Sequence, residues 1–267
     1  NVFNWRIIAG GGTAVTRFLS PYSPLWSLAV EEQFYVVFPV VVLAVGAVAA
    51  GRSRRALAWV CGAGVVASIL ASLLITPSAA FGPSAPLMEQ FRTDVRMGEI
   101  LVGSLLALAV PTWRVVNERF ADVLGWAGLA ATLVIWQVAR EPQAWIVHGG
   151  LVLVAVASAA LVYGALAEGS LAKVLALPPL RYLGRISYGV YLFHWPIFLA
   201  TRDIFYSDNR PALFVTRVVL TLVVAALSFH LVEAPIRHGR ALPAPYLAIV
   251  WVAGAVGLSA VAWSLAT

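Results

Sequence analysis

Three short tracts set side chains that could do chemistry into an otherwise apolar chain. The first runs Ser23-Pro24-Leu25-Trp26-Ser27-Leu28-Ala29-Val30-Glu31-Glu32-Gln33-Phe34-Tyr35. Ser23 as N-cap and Pro24 at the first helical position predict a helix start, which puts Glu31 about 10 Å, or two turns, into that helix. A spacing of four aligns Ser27, Glu31 and Tyr35 on one stripe, whereas Glu32 shares its stripe with Leu28 and Val36. A hydroxyl, a carboxylate and a phenol in a row suggest that Glu31 faces a bundle interior or a wet cavity. The plainer alternative is that both glutamates are interfacial and solvated.

The second tract is Arg92-Thr93-Asp94-Val95-Arg96-Met97-Gly98-Glu99. Arg92, Arg96 and Glu99 fall at i, i+4 and i+7 on one helix face. Two guanidiniums beside two carboxylates can bind an anionic or hydroxyl-rich ligand, or can form a self-satisfied ion network that holds helices together. The third tract is Arg185-Ile186-Ser187-Tyr188-Gly189-Val190-Tyr191-Leu192-Phe193-His194-Trp195-Pro196. Ser187, Tyr191 and His194 form a polar stripe along it. An intramembrane histidine serves as general base or proton relay, although a histidine bonded to a tyrosine or a carbonyl is the commoner arrangement. His148 and His230 lack such a stripe, and Glu233 in Leu231-Val232-Glu233-Ala234-Pro235-Ile236-Arg237 reads as an ion-pair partner for an arginine.

The elements that position these tracts follow from composition. Of 267 residues, 61% are hydrophobic and 11% charged, less than half the roughly 25% of a soluble domain, and the mean hydropathy is +0.88. A soluble domain, a disordered tail and a nucleic-acid binder are excluded. The expected fold is an all-α polytopic membrane protein, a bundle of about eight transmembrane helices of about 20 apolar residues each. The spans read as Pro24–Ala50, Ala56–Thr76, Asp94–Val110, Asp122–Ala139, Pro142–Ala167, Ile186–Thr201, Pro211–Val232 and Pro245–Thr267. Ionisable residues inside such spans cost about 2.5–3.5 kcal/mol each on insertion scales and are functional candidates for that reason.

The net charge of +6 comes from 17 arginines and one lysine set in short clusters between apolar runs. Alternate connections carry ten cations on one side, among them Arg52, Arg54, Arg55, Arg237 and Arg240, and eight on the other. The positive-inside rule therefore places the Arg52–Arg55 and Arg237–Arg240 connections in the cytoplasm, with both termini outside. Cys61, the one cysteine, excludes an internal disulfide and a multi-cysteine metal site, and no metal site is expected. Phosphate-loop, serine-hydrolase elbow, His-Glu-x-x-His and Cys-x-x-Cys patterns are absent from the sequence.

Trp26-Ser27-Leu28-Ala29-Val30-Glu31-Glu32-Gln33-Phe34-Tyr35 followed by Pro39 resembles the tryptophan-serine-leucine-x-valine-glutamate signature of the acyltransferase-3 family of integral membrane acyltransferases. Ile186–Pro196 is similar to that family's late Ile-Ser-Tyr-x-x-Tyr-Leu-x-His-x-Pro tract, and Leu231–Arg237 to its terminal Val-Glu-x-Pro-Ile-Arg. Asn4-Trp5 and the Arg96 to Gly103 tract also fit, all in family order.

The resemblance implies transfer of an acyl group, usually acetyl, from cytoplasmic acyl-CoA to a hydroxyl of an envelope sugar or glycolipid at the bacterial plasma membrane, with no bound cofactor. It implies catalytic roles for Glu31 and His194, and substrate contacts for Trp26, Tyr35, Arg96 and Tyr191, to which the charge pattern of the second tract adds Arg92. The family's proposed catalytic histidine and its early Arg-x-x-Arg tract lie in the first spans, and no histidine precedes His148 here. The expectation is thus one membrane domain over 1–267 whose first family spans lie before Asn1, with residues 1–23 as an extracytoplasmic lead-in. Pro245–Thr267 would then be an extra final span, after which an extracytoplasmic SGNH-type domain could follow. In that scheme Glu31 orients or charge-stabilises the upstream imidazole, Arg96 holds an oxygen of acceptor or donor, and His194 lines the path. Two readings from other classes are a transporter of a polar lipid or sugar and a non-catalytic membrane scaffold for an extracytoplasmic partner.

Overall fold

The computed structural model describes residues 25–49, 51–74, 91–110, 117–139, 149–201 and 210–238, and over these the chain is an all-α membrane protein. Its helices are α1 (Leu25–Val48), α2 (Ser53–Leu74), α3 (Thr93–Ala109), α4 (Glu118–Val138), α5 (Leu151–Ala165), α6 (Ser170–Leu175), α7 (Pro178–Ala200), α8 (Arg210–Ser228), a π-helical turn at Phe229–Glu233 and α9 (Ala234–Arg237). Helices stand at seven of the eight expected spans. The expected span Pro245–Thr267, the cap Ser23-Pro24, the lead-in 1–23 and His148 lie outside the described residues.

Four helical stretches, Leu25–Val48, Ser53–Leu74, Glu118–Val138 and Pro211–Arg237, are long and apolar enough to cross a membrane, and Leu151–Ala165 is a shorter apolar helix. Their flanks stay uncovered: Leu43, Trp59, Leu74 and Trp136 are all exposed. Contiguous apolar surface on that scale is untenable in water, but in hydrocarbon it is the face that meets the solvent. The backbone polar groups meanwhile bond within each helix. Pro39 and Pro196 sit inside α1 and α7, and both helices run on through them. Pro235 does have a local effect. It has no N–H to offer the carbonyl one turn back, and the turn before it widens, with the Ala234 N–H reaching five residues back to the Phe229 carbonyl.

The chain divides into two compact units, one holding Trp26–Leu177 and the other the described residues from Pro178 onward. In the first unit α2 packs on α3, α3 on α5, and α4 on α5 and α6. Sequence explains the closest of these approaches. Ala121-x-x-x-Gly125 on α4 and Ala160-x-x-x-Gly164 on α5 are small-residue repeats that let membrane helices meet backbone to backbone. A methyl group added at Gly164 would lie 2.8 Å from the Ala121 carbonyl oxygen, and one at Gly128 would lie 2.6 Å from that of Ala157. Between α2 and α3 the buried Ser68 hydroxyl donates to the Val95 carbonyl at 2.8 Å and accepts from the Gly98 N–H at 3.1 Å. In the second unit α7 packs on α8, with Gly189 against Ala225.

Candidate functional site

The first two sequence tracts meet in the first unit. Near the start of α1, the Trp26 ring lies edge-on to the buried Phe91, with centroids 4.8 Å apart. The Arg96 guanidinium of α3 stacks over Trp26 at 5.2 Å from the ring centroid. This cation-π contact fixes a charge against the signature tryptophan and, where water is excluded, contributes up to about 2 kcal/mol. Arg96 also pairs with Glu99 one turn along, Nη1 to Oε1 at 3.1 Å. That Glu99 oxygen is buried and accepts no hydrogen bond, so it is held by charge alone. Two turns further along α1, Gln33 Oε1 accepts from the Thr93 hydroxyl at 2.7 Å. Arg92 forms a two-pronged pair with Asp94, at 3.0 and 2.5 Å. Both ion pairs of this tract lie within or at the start of α3 itself, and it is the Trp26 and Gln33 contacts that reach α1.

Glu31 and Tyr35 are not drawn into that contact. The buried side of α1 is Ala29 and Val30. Ala29 lies about 200° around the helix from Glu31, and Glu31, Glu32 and Tyr35 are exposed while Ser27 is half-buried. The stripe Ser27, Glu31, Tyr35 therefore forms as spaced, but points away from the packed side of its own unit. Beside Glu99, a cavity of about 330 Å³ opens between α3 and α5, lined by small residues such as Gly103, Ala107, Ala155 and Ala159 together with Ser158.

The third tract belongs to the second unit. On α7 the packed face is Ile186, Gly189 and Leu199, so Ser187 and His194 are exposed and Tyr191 half-buried. Both exposed polar groups are satisfied on their own helix: the Ser187 hydroxyl donates to the Gly184 carbonyl at 2.9 Å, and His194 Nδ1 lies 2.6 Å from the Tyr191 carbonyl. A carbonyl can only accept, so Nδ1 is the donor in this contact, which leaves Nε2 as the ring nitrogen that faces outward. The Tyr191 and His194 rings lie 5.6 Å apart. His230 stacks on Tyr182, whose hydroxyl is 3.1 Å from Nε2, and Glu233 pairs with Arg237 at 3.5 Å, as the sequence suggested. Glu31 and His194 thus stand on different units.

Several polar side chains do work that spacing did not reveal. Asp122, one turn into α4, accepts from the Leu171 N–H at 2.9 Å and the Ser170 hydroxyl at 2.8 Å, and so caps α6, while Trp126 Nε1 donates to Ser170. Arg217 lies over Phe198 at 4.0 Å, donates to the Thr201 hydroxyl at 2.9 Å, and reaches the Phe198 carbonyl, closing the end of α7. Arg54 donates through Nε and Nη2 to the Leu108 carbonyl near the end of α3. In sequence these residues read as span boundaries or topology charges. The signal that was available is the geometric one of helix ends, whose last carbonyls need donors.

The model for the family described as "Acyltransferase domain", acyltransferase-3, matches residues 2–230. The chain is similar to the O-acetyltransferase OatA of Staphylococcus aureus, 28% identical over 245 residues that cover 88% of this chain and 40% of the relative. It is also similar to the peptidoglycan O-acetyltransferase OatA of Listeria monocytogenes, 32% identical over 247 residues that cover 88% of this chain and 39% of the relative. The chain therefore spans about two fifths of the length of the curated relatives it matches. No solved structure matches it.

Proposed function

The chain belongs to the acyltransferase-3 family, and on that premise we propose that it moves an acyl group, acetyl by analogy with the O-acetyltransferases it resembles, from acyl-CoA to a hydroxyl of an envelope sugar, with peptidoglycan the first acceptor to try. In this reaction the acceptor oxygen attacks the thioester carbonyl, the new C–O bond replaces the C–S bond, and the acceptor's proton ends on the departing thiol. The chain's residues serve the step in three places. The Trp26–Arg96–Glu99 set fixes a guanidinium at the root of α1, where it can hold the carbonyl oxygen as negative charge develops. Glu31, two turns into α1 and open, is free to charge-stabilise a cationic imidazole brought against it. His194, with Nδ1 committed to a carbonyl, offers Nε2 as a second proton acceptor. The enzyme works at the plasma membrane with the Arg52–Arg55 connection at the cytoplasmic face, where acyl-CoA is supplied.

The observation that carries this reading is that two tracts distant in sequence, the signature at Trp26–Tyr35 and the Arg92–Glu99 tract, are joined by the stacking of Arg96 on Trp26. The test is labelled acetyl-CoA supplied to membranes that hold the full-length protein. Label passing to envelope glycan in the wild type, and lost in Glu31→Gln at equal expression, is the expected result. Label that still transfers with Glu31→Gln and His194→Ala combined would remove both residues from the mechanism.

A further inference from the structure

At the other end of α3 from the Arg96 cluster, the connection from α1 to α2 turns through Gly51, whose φ of +84° is open to glycine at little cost. The three arginines that follow, Arg52, Arg54 and Arg55, line a cavity of about 790 Å³ whose far wall is Leu105, Leu108 and Ala109 of α3 and its end. The arginines divide their labour. Arg54 is spent on the Leu108 carbonyl. Arg52 and Arg55 are exposed and have no anionic partner among the described residues, and no carboxylate lines the cavity. A concave site with unpaired guanidiniums and no acid is complementary to phosphate.

The apolar surface continues from the same face. Arg52, Arg55, Trp59, Val66, Leu70 and Leu73 fall at i, i+3, i+7, i+14, i+18 and i+21, one side of α2. The last four are all exposed, Trp59 to 80%. Charge sits at the helix end, an aromatic one turn below it, and an uncovered aliphatic track runs down the span. That is the profile of a phospholipid from headgroup to chain.

We propose that Arg52 and Arg55 form a binding site for one anionic phospholipid, with its phosphate in the cavity at the α2–α3 end and an acyl chain along the Trp59–Leu73 face. The site is independent of the acyl-transfer reading. A soluble phosphate donor such as CoA offers the same charge but has no use for the aliphatic track, and that difference separates the two sources.

The experiment uses the full-length protein in dodecyl maltoside, equilibrated with equimolar dioleoylphosphatidylglycerol and dioleoylphosphatidylcholine, with retained lipid counted by native mass spectrometry. The wild type retains phosphatidylglycerol selectively. Arg52→Gln with Arg55→Gln lowers that retention roughly 25-fold, at about fivefold per arginine beside an anionic lipid, and leaves phosphatidylcholine unchanged. Replacing both arginines by lysine keeps most of it. Ala58→Phe fills the cavity with both arginines present, so it tests the site even where the glutamine pair folds poorly, and it also loses selectivity. Saturating acetyl-CoA does not displace the lipid. The proposal is overturned by phosphatidylglycerol retention that survives the glutamine pair or Ala58→Phe. It is also overturned by acetyl-CoA that competes the lipid off, which would assign the cavity to the soluble donor.

Discussion

Where α4 meets α5, glycine backbones approach so closely that no side chain fits between Gly164 and the Ala121 carbonyl. Where α1 meets α3, the helices communicate through side chains: Trp26 with Arg96 and Phe91, Gln33 with Thr93. The first interface is dry packing, in which many small dispersion terms add up. The second is polar and aromatic, and it leaves an open face carrying Glu31 and Tyr35. The difference teaches where each kind of residue is needed. Gly125, Gly128 and Gly164 are required by the fold itself, whereas Glu31 has no described packing role, and insertion of a carboxylate there carries a cost that a function would offset.

Substitutions on either side can break or sharpen this contrast. The largest expected effect is on activity: Glu31→Gln lowers acyl transfer about 10²- to 10³-fold with no loss of thermal stability in detergent. Coupled loss of both would mean that the open face of α1 is structural after all. Next, Gly164→Ala drives a methyl into the α4 backbone and destabilises the first unit by about 3 kcal/mol. The readout is the melting temperature and the yield of monodisperse protein, and an unchanged melt would show that α4 and α5 can move apart. Asp122→Ala leaves the Leu171 N–H and the Ser170 hydroxyl without their acceptor and costs about 1–2 kcal/mol, the range for a lost helix cap. Hydrogen exchange should locate the loss in α6. Arg96→Lys keeps the charge but gives up the flat face over Trp26. It should cost below about 1 kcal/mol in stability while reducing activity more than stability. Smallest of all, Arg237→Gln removes an exposed pair with Glu233 at 3.5 Å and should shift stability by about 0.5 kcal/mol or less.

Much of the framework was legible in residue order. Apolar runs located helices at seven of the expected spans. The ends were less legible. α7 begins at Pro178, eight residues before the expected Ile186, because Arg181, Tyr182 and Arg185 are polar enough to look like a loop yet sit on a helix that extends beyond its apolar stretch. The ion network Arg92–Asp94 and Arg96–Glu99 was one of two readings of a single pattern, and the pattern cannot choose between them. Which carboxylate a guanidinium finds depends on rotamers and on the Trp26 ring that lies over Arg96. Asp122, Arg217 and Arg54 were invisible as cap residues because their partners, Leu171, Thr201 and Leu108, are contributed by other helices.

The amino-acid sequence alone determined that this chain lives in a membrane, is helical, and sets a few polar tracts into otherwise apolar spans. Hydrophobic length and charge scarcity are properties of residue order, and they need no knowledge of neighbours. Tertiary structure alone decided which face each tract presents. Periodicity puts Ser27, Glu31 and Tyr35 on one stripe and Ser187, Tyr191 and His194 on another, but it contains no information about what packs opposite. In hydrocarbon, where apolar residues gain little by turning inward, small residues such as Ala29, Gly98 and Gly189 set the packed side, and the polar stripes take the side that is left.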